Sequence, residues 1–158
     1  MRKFNVFSPS PEYDSTDPDG YRAGRDSFGS KIGADQIGGS VYELPPGQAV
    51  CPYHYEYPNE EWLIVLEGRP TLRHPEGEDE LEPGDIVAFS PGPEGAHKVT
   101  NNSQERVRII MLSTEVPPFV AVYPDSNKQL IKPHRHDAQD RLMVRRDSNV
   151  DYYDGETP

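Results

Sequence analysis

This chain of 158 residues has a single cysteine, no long apolar run and fewer basic than acidic residues. The one cysteine, Cys51, excludes an internal disulfide and fits a reducing compartment. No apolar run approaches the roughly 18 residues that cross a membrane, and no apolar stretch follows the bases at the N-terminus, as it would in a signal peptide. We therefore expect a cytoplasmic protein without a membrane partner.

The charge balance narrows the range of partners. The chain has 27 acidic and 16 basic residues, which give a formal net charge of −11. Nucleic acids and anionic membranes are not attracted to such a field, so we expect neither as a partner. No nucleotide-binding loop or nucleophile-elbow motif is present either. A small molecule is the expected ligand.

Helical periodicity is also missing, and short apolar segments alternate with turns rich in Gly and Pro instead. Strand-length segments at such even spacing indicate an all-β sandwich or barrel. Within that class a double-sheet jelly roll, the double-stranded β-helix, is favoured. The predicted strands are 40–44, 61–66, 70–73, 85–89, 97–100, 106–112, 119–123 and 129–132.

The apolar residues also predict the organisation of the chain, because they are concentrated in its middle. Residues 1–37 are predicted to be a polar N-terminal arm, residues 38–132 a β-barrel, and residues 133–158 a charged C-terminal tail. The tail could cover a sheet edge or reach a partner chain. Tyr152 and Tyr153 would anchor it in the first case.

Two segments of the predicted barrel hold side chains that can bind a metal. These are His54, Glu56 and Glu61 in residues 47–68, and His97 in residues 84–101. Side chains two apart on a strand face the same way, so His54 and Glu56 should share the interior face while Tyr55 faces outward. Glu61 can return to the same place after a turn, whereas only the fold could bring His97 there. Two imidazoles and two carboxylates are a plausible donor set for a metal.

These residues, together with the glycines around them, resemble the two sequence motifs of the cupin superfamily. The matching positions are Gly47, His54, Glu61 and Gly68 in the first motif, and Gly84, Pro91, Gly95, His97 and Asn101 in the second. The resemblance implies a small β-barrel that holds one divalent metal ion (manganese, iron, nickel or zinc) and often forms a homodimer. It does not imply one reaction, since the family includes dioxygenases, isomerases and decarboxylases as well as non-catalytic binders.

The resemblance therefore predicts a metal-dependent enzyme that acts on a small polar molecule. The alternative is a non-catalytic small-molecule-binding or sensor protein whose metal site is altered or lost. The choice depends on Glu56, which stands where the family usually has a second histidine. Glu56 could be a fourth ligand in a neutral site, or it could turn aside and leave two histidines and one carboxylate with open positions. In the third case the metal is absent altogether.

The remaining cysteine and histidines are predicted to lie outside the site. Cys51 is an odd number of residues from His54, so it should lie on the opposite strand face as a small buried residue. His74 is expected at the surface in a hairpin turn. The pair His134 and His136 is expected in a solvated tail rather than at a second metal site.

Overall fold

The computed structural model describes residues 1–133 and 140–157, and nearly all of its regular structure is β. The predicted histidine pair at 134 and 136 lies outside the described residues. In the described ranges there are one short α-helix, α1 (Gly29–Ile32), and two 3₁₀ turns (Pro93–Gly95 and Pro124–Ser126), and no helix is long and apolar enough to span a membrane. The strands are β1 (Gly24–Ser27), β2 (Ile37–Leu44), β3 (Tyr55–Tyr57), β4 (Glu61–Glu67), β5 (Thr71–His74), β6 (Gly77–Glu80), β7 (Ile86–Phe89), β8 (Lys98–Thr100), β9 (Val107–Thr114), β10 (Phe119–Tyr123), β11 (Lys128–Lys132) and β12 (Leu142–Arg145).

The strands form three sheets, which confirms the predicted all-β class. The largest sheet has the order β1-β2-β9-β4-β7, the second β12-β11-β10-β3, and the third β6-β5-β8. All the pairings between these strands are antiparallel. Strands that are distant in sequence, such as β2 and β9, are neighbours in the sheet, as expected of a jelly roll rather than a simple meander.

Three observed strands were not predicted from the sequence, and each lies at the edge of its sheet. They are β1, β6 and β12. Edge strands have one unpaired side and tolerate charged residues, so β1 and β6 lack the apolar signal by which other strands are detected. β6, with the sequence Gly-Glu-Asp-Glu and every residue exposed, is the extreme case. β12 has an apolar sequence but lies in the segment predicted to be a charged tail.

The apolar core lies between one end of the five-stranded sheet and the three-stranded sheet. Inward-facing residues of β2, β4 and β9 contribute Leu44, Leu63, Val65, Val107 and Ile109, all of them at most 2% exposed. Leu72 of β5 and Val99 of β8 cover them from the opposite sheet. Burial of a side chain of this size contributes about 1.5–3 kcal/mol, so this cluster provides the main stabilisation of the fold.

At the other end of the five-stranded sheet, the residues on the same inward face are small or polar. Gly38 of β2 pairs with Ser113 of β9, which in turn pairs with Glu61 of β4. These side chains cannot fill the space between the five-stranded sheet and the sheet that contains β3 and β10. A cavity of about 460 Å³ therefore remains at this end.

The N-terminal segment is fixed to the outer face of the sheet at Asp26 of β1. The Asp26 side chain is only 2% exposed, accepts a hydrogen bond from the amide of Ser10 at 2.7 Å, and pairs with Lys31. Burial raises the pKa of Asp26, but the hydrogen bonds from Lys31 and Ser10 outweigh it and hold the pKa below its ordinary value of 3.8. Asp26 therefore joins Ser10 of the N-terminal segment to the sheet as a carboxylate.

Replacement of Asp26 by Asn is expected to lower the free energy of unfolding by about 1–3 kcal/mol, because a charged acceptor with two buried bonds is lost. Since the folded-state pKa lies below the unfolded one, this stabilisation is complete above the unfolded value and disappears as the pH falls through the folded value. Urea unfolding of both proteins at neutral and acidic pH checks this. The difference between them should shrink in acid, and a difference that is independent of pH would contradict the assignment.

Candidate metal centre

Two histidines are brought together by a short bridge between distant parts of the chain. His54 and His97 form an isolated antiparallel bridge, in which the His54 amide donates to the His97 carbonyl at 3.1 Å and the His97 amide to the His54 carbonyl at 2.8 Å. Residues paired directly in this way project their side chains from the same face. The two imidazole rings are accordingly adjacent, with centroids 4.8 Å apart.

Glu61 completes the group from the first position of β4, where it faces the cavity. Its Oε2 atom is 3.8 Å from His54 Nε2 and 3.6 Å from His97 Nε2. The candidate ligand atoms of the three buried residues all lie within 4.8 Å of one another. Donor atoms that each lie about 2.0–2.2 Å from one ion are roughly 3–4 Å from one another, which is close to the separations observed here. The three side chains could therefore hold a metal with little movement.

Backbone carbonyls orient both imidazoles. His54 Nδ1 donates to the carbonyl of Pro52 at 3.0 Å, and His97 Nδ1 donates to the carbonyl of Gly95 at 2.9 Å. Each ring thus carries its proton on Nδ1 and presents the Nε2 lone pair to the group. Histidines that bind metals are commonly fixed in this manner.

His97 carries the clearest sign that a ligand belongs here. Its Nε2 atom is buried and accepts no hydrogen bond from any described residue. Phe89 stacks on the ring with centroids 3.8 Å apart and prevents it from turning. Burial, followed by the neighbouring His54, lowers the pKa of His97 to about 3, so the imidazole is neutral near pH 7. His97 Nε2 is thus a buried acceptor on a neutral, fixed ring, with no hydrogen-bond donor among the described residues, as expected of a metal ligand.

Glu56 lies at the same cavity but outside this three-residue group. It is buried in β3, and its Oε2 accepts a hydrogen bond from Asn59 Nδ2 at 3.2 Å. Asn59 is itself 2% exposed and is held through its Oδ1, which accepts from the amide of Val116 at 2.9 Å. The Glu56 carboxylate therefore lines the cavity and is held in place by Asn59.

Cys51 does not lie where the strand pattern placed it. It precedes β3 in a bend, so strand alternation does not apply, and it lines the same cavity as His54. Its Sγ atom is 3.5 Å from His54 Nδ1. Burial, with Glu61 and Glu56 nearby, raises the pKa of the Cys51 thiol above its ordinary value. The prediction that Cys51 faces away from the metal site is wrong, although the side chain behaves as a neutral thiol.

Tyr55 also differs in part from its prediction. It does face away from the cavity, on the opposite side of β3 from Glu56, but it is buried at 6% exposure. It packs with Tyr53, Ala96 and Val122 in a small second cluster. The outer side of β3 is therefore covered by the protein at Tyr55, whereas Tyr57 on the same side is 43% exposed.

The sequence reasoning did not identify three residues that shape the site: Asn59, Tyr123 and Arg25. Asn59 follows a proline in what reads as an exposed turn, and nothing in the sequence signals its burial. Tyr123 of β10 stacks against His54 with centroids 5.8 Å apart. Arg25 belongs to β1 in the predicted N-terminal arm, and its side chain lines the cavity. Their positions depend on long-range strand pairing.

Comparison of this structure with solved structures gives related folds, among them three that cover between 72% and 96% of the chain. A sugar phosphate isomerase of the cupin superfamily from Silicibacter pomeroyi has a TM-score of 0.79 at 24% identity, over 96% of this chain and 98% of that one. The polyketide cyclase RemF from Streptomyces resistomycificus has a TM-score of 0.62 at 19% identity, over 89% of each chain. A protein with a double-stranded β-helix domain from Klebsiella pneumoniae has a TM-score of 0.56 at 19% identity, over 72% and 90%.

These likenesses show a shared fold and leave the reaction open, since all three identities are below 25%. A search among curated protein sequences gives no significant match. The model of the Cupin domain family matches residues 40–113, a range that starts in β2, ends in β9 and includes His54, Glu61 and His97. Residues 40–113 are therefore similar to the Cupin domain family, and the chain shares the fold of solved cupin structures.

Proposed function

We propose that the protein is a metal-dependent enzyme acting on a small polar molecule, with one divalent metal ion bound by His54, Glu61 and His97. The observation that carries the proposal is the convergence of these three buried side chains at the wall of a cavity of about 460 Å³. Both imidazoles present Nε2 to the same point, because backbone carbonyls hold their Nδ1 atoms. A volume of this size suits a small-molecule ligand.

Three protein ligands would leave further coordination positions for a substrate. Two histidines and one carboxylate with open positions form a known catalytic donor set. A bound divalent ion supplies Lewis acidity, which polarises a carbonyl or hydroxyl oxygen. The positions would be accessible from the cavity rather than from bulk water, because all three ligand residues are buried.

Glu56 supplies a proton-transfer group in this proposal. Its carboxylate is buried at the cavity wall and fixed by Asn59. A carboxylate in this place can accept a proton from a carbon or oxygen whose acidity the metal has increased, and can return it to a neighbouring atom. Such a step belongs to isomerisation and related reactions. The sugar phosphate isomerase among the structural relatives makes sugar phosphates the first substrate class to test.

Replacement of Glu56 by Gln should separate this role from metal binding. The variant should keep its metal, while turnover falls by about 10²–10⁴-fold, as is typical when a general base is lost. Metal-loaded protein would be incubated with aldose and ketose phosphates in D₂O, and proton NMR would follow deuterium incorporation beside the carbonyl. Asp79→Asn is a matched control at an exposed carboxylate that pairs with His74 outside the cavity.

Two results would contradict the role of Glu56. If the metal were lost from Glu56→Gln, Glu56 would be a ligand, as the sequence motif allows. If the metal-loaded protein bound these compounds without any exchange or turnover, the non-catalytic binding or sensor alternative would be favoured.

A further inference from the structure

Arg25 stands out among the charges around the cavity. Of the described residues that line the cavity, it is the only lysine or arginine, in a chain with a net charge of −11. Asp35 and Glu115 also line the cavity, yet no carboxylate of the described residues lies within 4.0 Å of the Arg25 guanidinium. Four other described arginines pair with carboxylates, namely Arg69, Arg73, Arg106 and Arg108. Arg25 is therefore a cation with unused hydrogen-bonding capacity at the cavity.

The guanidinium is held in place from one side. Its Nε donates to Ser40 Oγ of β2 at 3.1 Å, and Ser40 in turn is 3.2 Å from Ser27 Oγ. The guanidinium carbon lies 5.8 Å from the centroid of the Tyr42 ring. Arg25 pairs directly with Tyr42, and Ser27 with Ser40, so all four side chains share the inward face of the sheet. This arrangement fixes the side chain and leaves its two terminal amino groups for a ligand.

We propose that Arg25, with the Ser27 and Ser40 hydroxyls, forms an oxyanion subsite at the end of the cavity away from the metal centre. The planar fork of a guanidinium matches the geometry of carboxylate and phosphate oxygens and binds them through two parallel hydrogen bonds. Hydroxyls beside it can donate to the remaining oxygens. The ligand class is a small molecule that carries a terminal carboxylate or phosphate group.

Strand positions indicate how such a molecule would lie. β1 and β4 are separated by β2 and β9, so Arg25 and Glu61 lie three strand spacings apart across the sheet, roughly 14 Å. Arg25 is also level with Val65 rather than Glu61, which adds four residues along β4, roughly 13 Å. An oxyanion at Arg25 is therefore too far from the metal ligands to coordinate the same ion. The fitting molecule is elongated, with its oxyanion at Arg25 and a carbonyl or hydroxyl oxygen at the metal. The oxyanion subsite deepens the proposed function. Its contact with the ligand stands alone, but the second contact, between the ligand and the metal, rests on the proposed function.

The test uses the full chain after metal removal and titration with inorganic phosphate, and separately with acetate, by isothermal titration calorimetry. Metal-free protein keeps phosphate from binding to the metal itself. We expect the wild-type protein to bind phosphate, and Arg25→Gln to bind it about 10- to 100-fold more weakly, the range for loss of charge-assisted bonds. Arg25→Lys should fall between them, because it keeps the charge and loses the fork. The acetate arm identifies whether the subsite prefers phosphate or carboxylate.

Arg22→Gln is the matched control, since Arg22 is exposed nearby, bonds to the carbonyl of Asp17 and does not line the cavity. Its anion affinity should equal that of the wild type. Equal affinity of Arg25→Gln and wild type, or no anion binding by a folded wild-type protein, would overturn the subsite. His97→Ala separates the two proposals: anion binding that persists there supports the subsite even if the metal site fails. A wild-type protein that binds metal but no anion refutes the subsite alone.

Discussion

His97→Ala is expected to reduce the bound metal from about one ion per chain to the background level. The variant removes one of three converging ligands, and the Nε2 that it removes has no hydrogen-bond partner among the described residues. Loss of a residue that only orients a ligand lowers metal affinity 10–100-fold, so loss of a ligand should cost at least about 100-fold. Elemental analysis of protein purified without chelators or a histidine tag measures the content.

Thermal unfolding gives a second reading of the same variant. A ligand that binds only the folded state raises the midpoint temperature of unfolding, so added divalent metal should raise it for the wild type and not for His97→Ala. His74→Ala is the control, because His74 lies in β5 and pairs with Asp79 at 3.1 Å, outside the group. A His97→Ala protein that is folded and fully loaded with metal would contradict the assignment.

Gly95→Ala is expected to destabilise the protein and weaken its metal site together. A Cβ atom at Gly95 would lie 1.9 Å from the carbonyl oxygen of Ser90 and 2.8 Å from its amide nitrogen, and backbone atoms cannot move aside as a side chain can. Overpacking of this kind costs about 1–3 kcal/mol or more. The Gly95 carbonyl also accepts the Nδ1 proton of His97, so a displaced loop should lower metal affinity about 10–100-fold.

Gly84→Ala separates these two effects. Gly84 has φ of 100° but open space around a Cβ atom, so its alanine variant should lose stability through backbone strain of about 1–2 kcal/mol. Gly84 does not support a metal ligand, and we expect its variant to keep the metal affinity of the wild type. Urea unfolding and metal titration of both variants make the comparison. Unchanged metal affinity in Gly95→Ala would show that the loop does not position His97.

The fold class could be predicted from the sequence because it rests on a repeated local signal, and the grouping of His54, Glu61 and His97 because these residues match the motifs that the chain resembles. Buried strands such as β4 and β9 are apolar segments between turns, and His54, Glu61 and His97 stand at characteristic distances from turn glycines. β1 and β6 could not be predicted, since their residues are polar, and β12 was missed because it lies within the charged C-terminal tail. Cys51 was misplaced because strand alternation was extended into a bend.

The other features of the site depend on contacts across the fold. Asn59 is buried because Val116, distant in sequence, donates to its side chain. Arg25 reaches the cavity because β1 pairs with β2. Domain limits, the homodimer and the cytoplasmic location remain predictions. Trp62 and Ile86, exposed on the outer face of the large sheet, offer apolar surface for a homodimer.

The central claim is that His54, Glu61 and His97 bind one divalent metal ion at the cavity. Anomalous diffraction from crystals of protein purified without chelators or a histidine tag tests it most directly, with data collected on both sides of the absorption edge of the metal found. We predict one anomalous peak, bonded to Nε2 of His54, Nε2 of His97 and a carboxylate oxygen of Glu61, with at least one further position open to the cavity. No peak at this position in metal-supplemented crystals, or an ion bound elsewhere, would contradict the account.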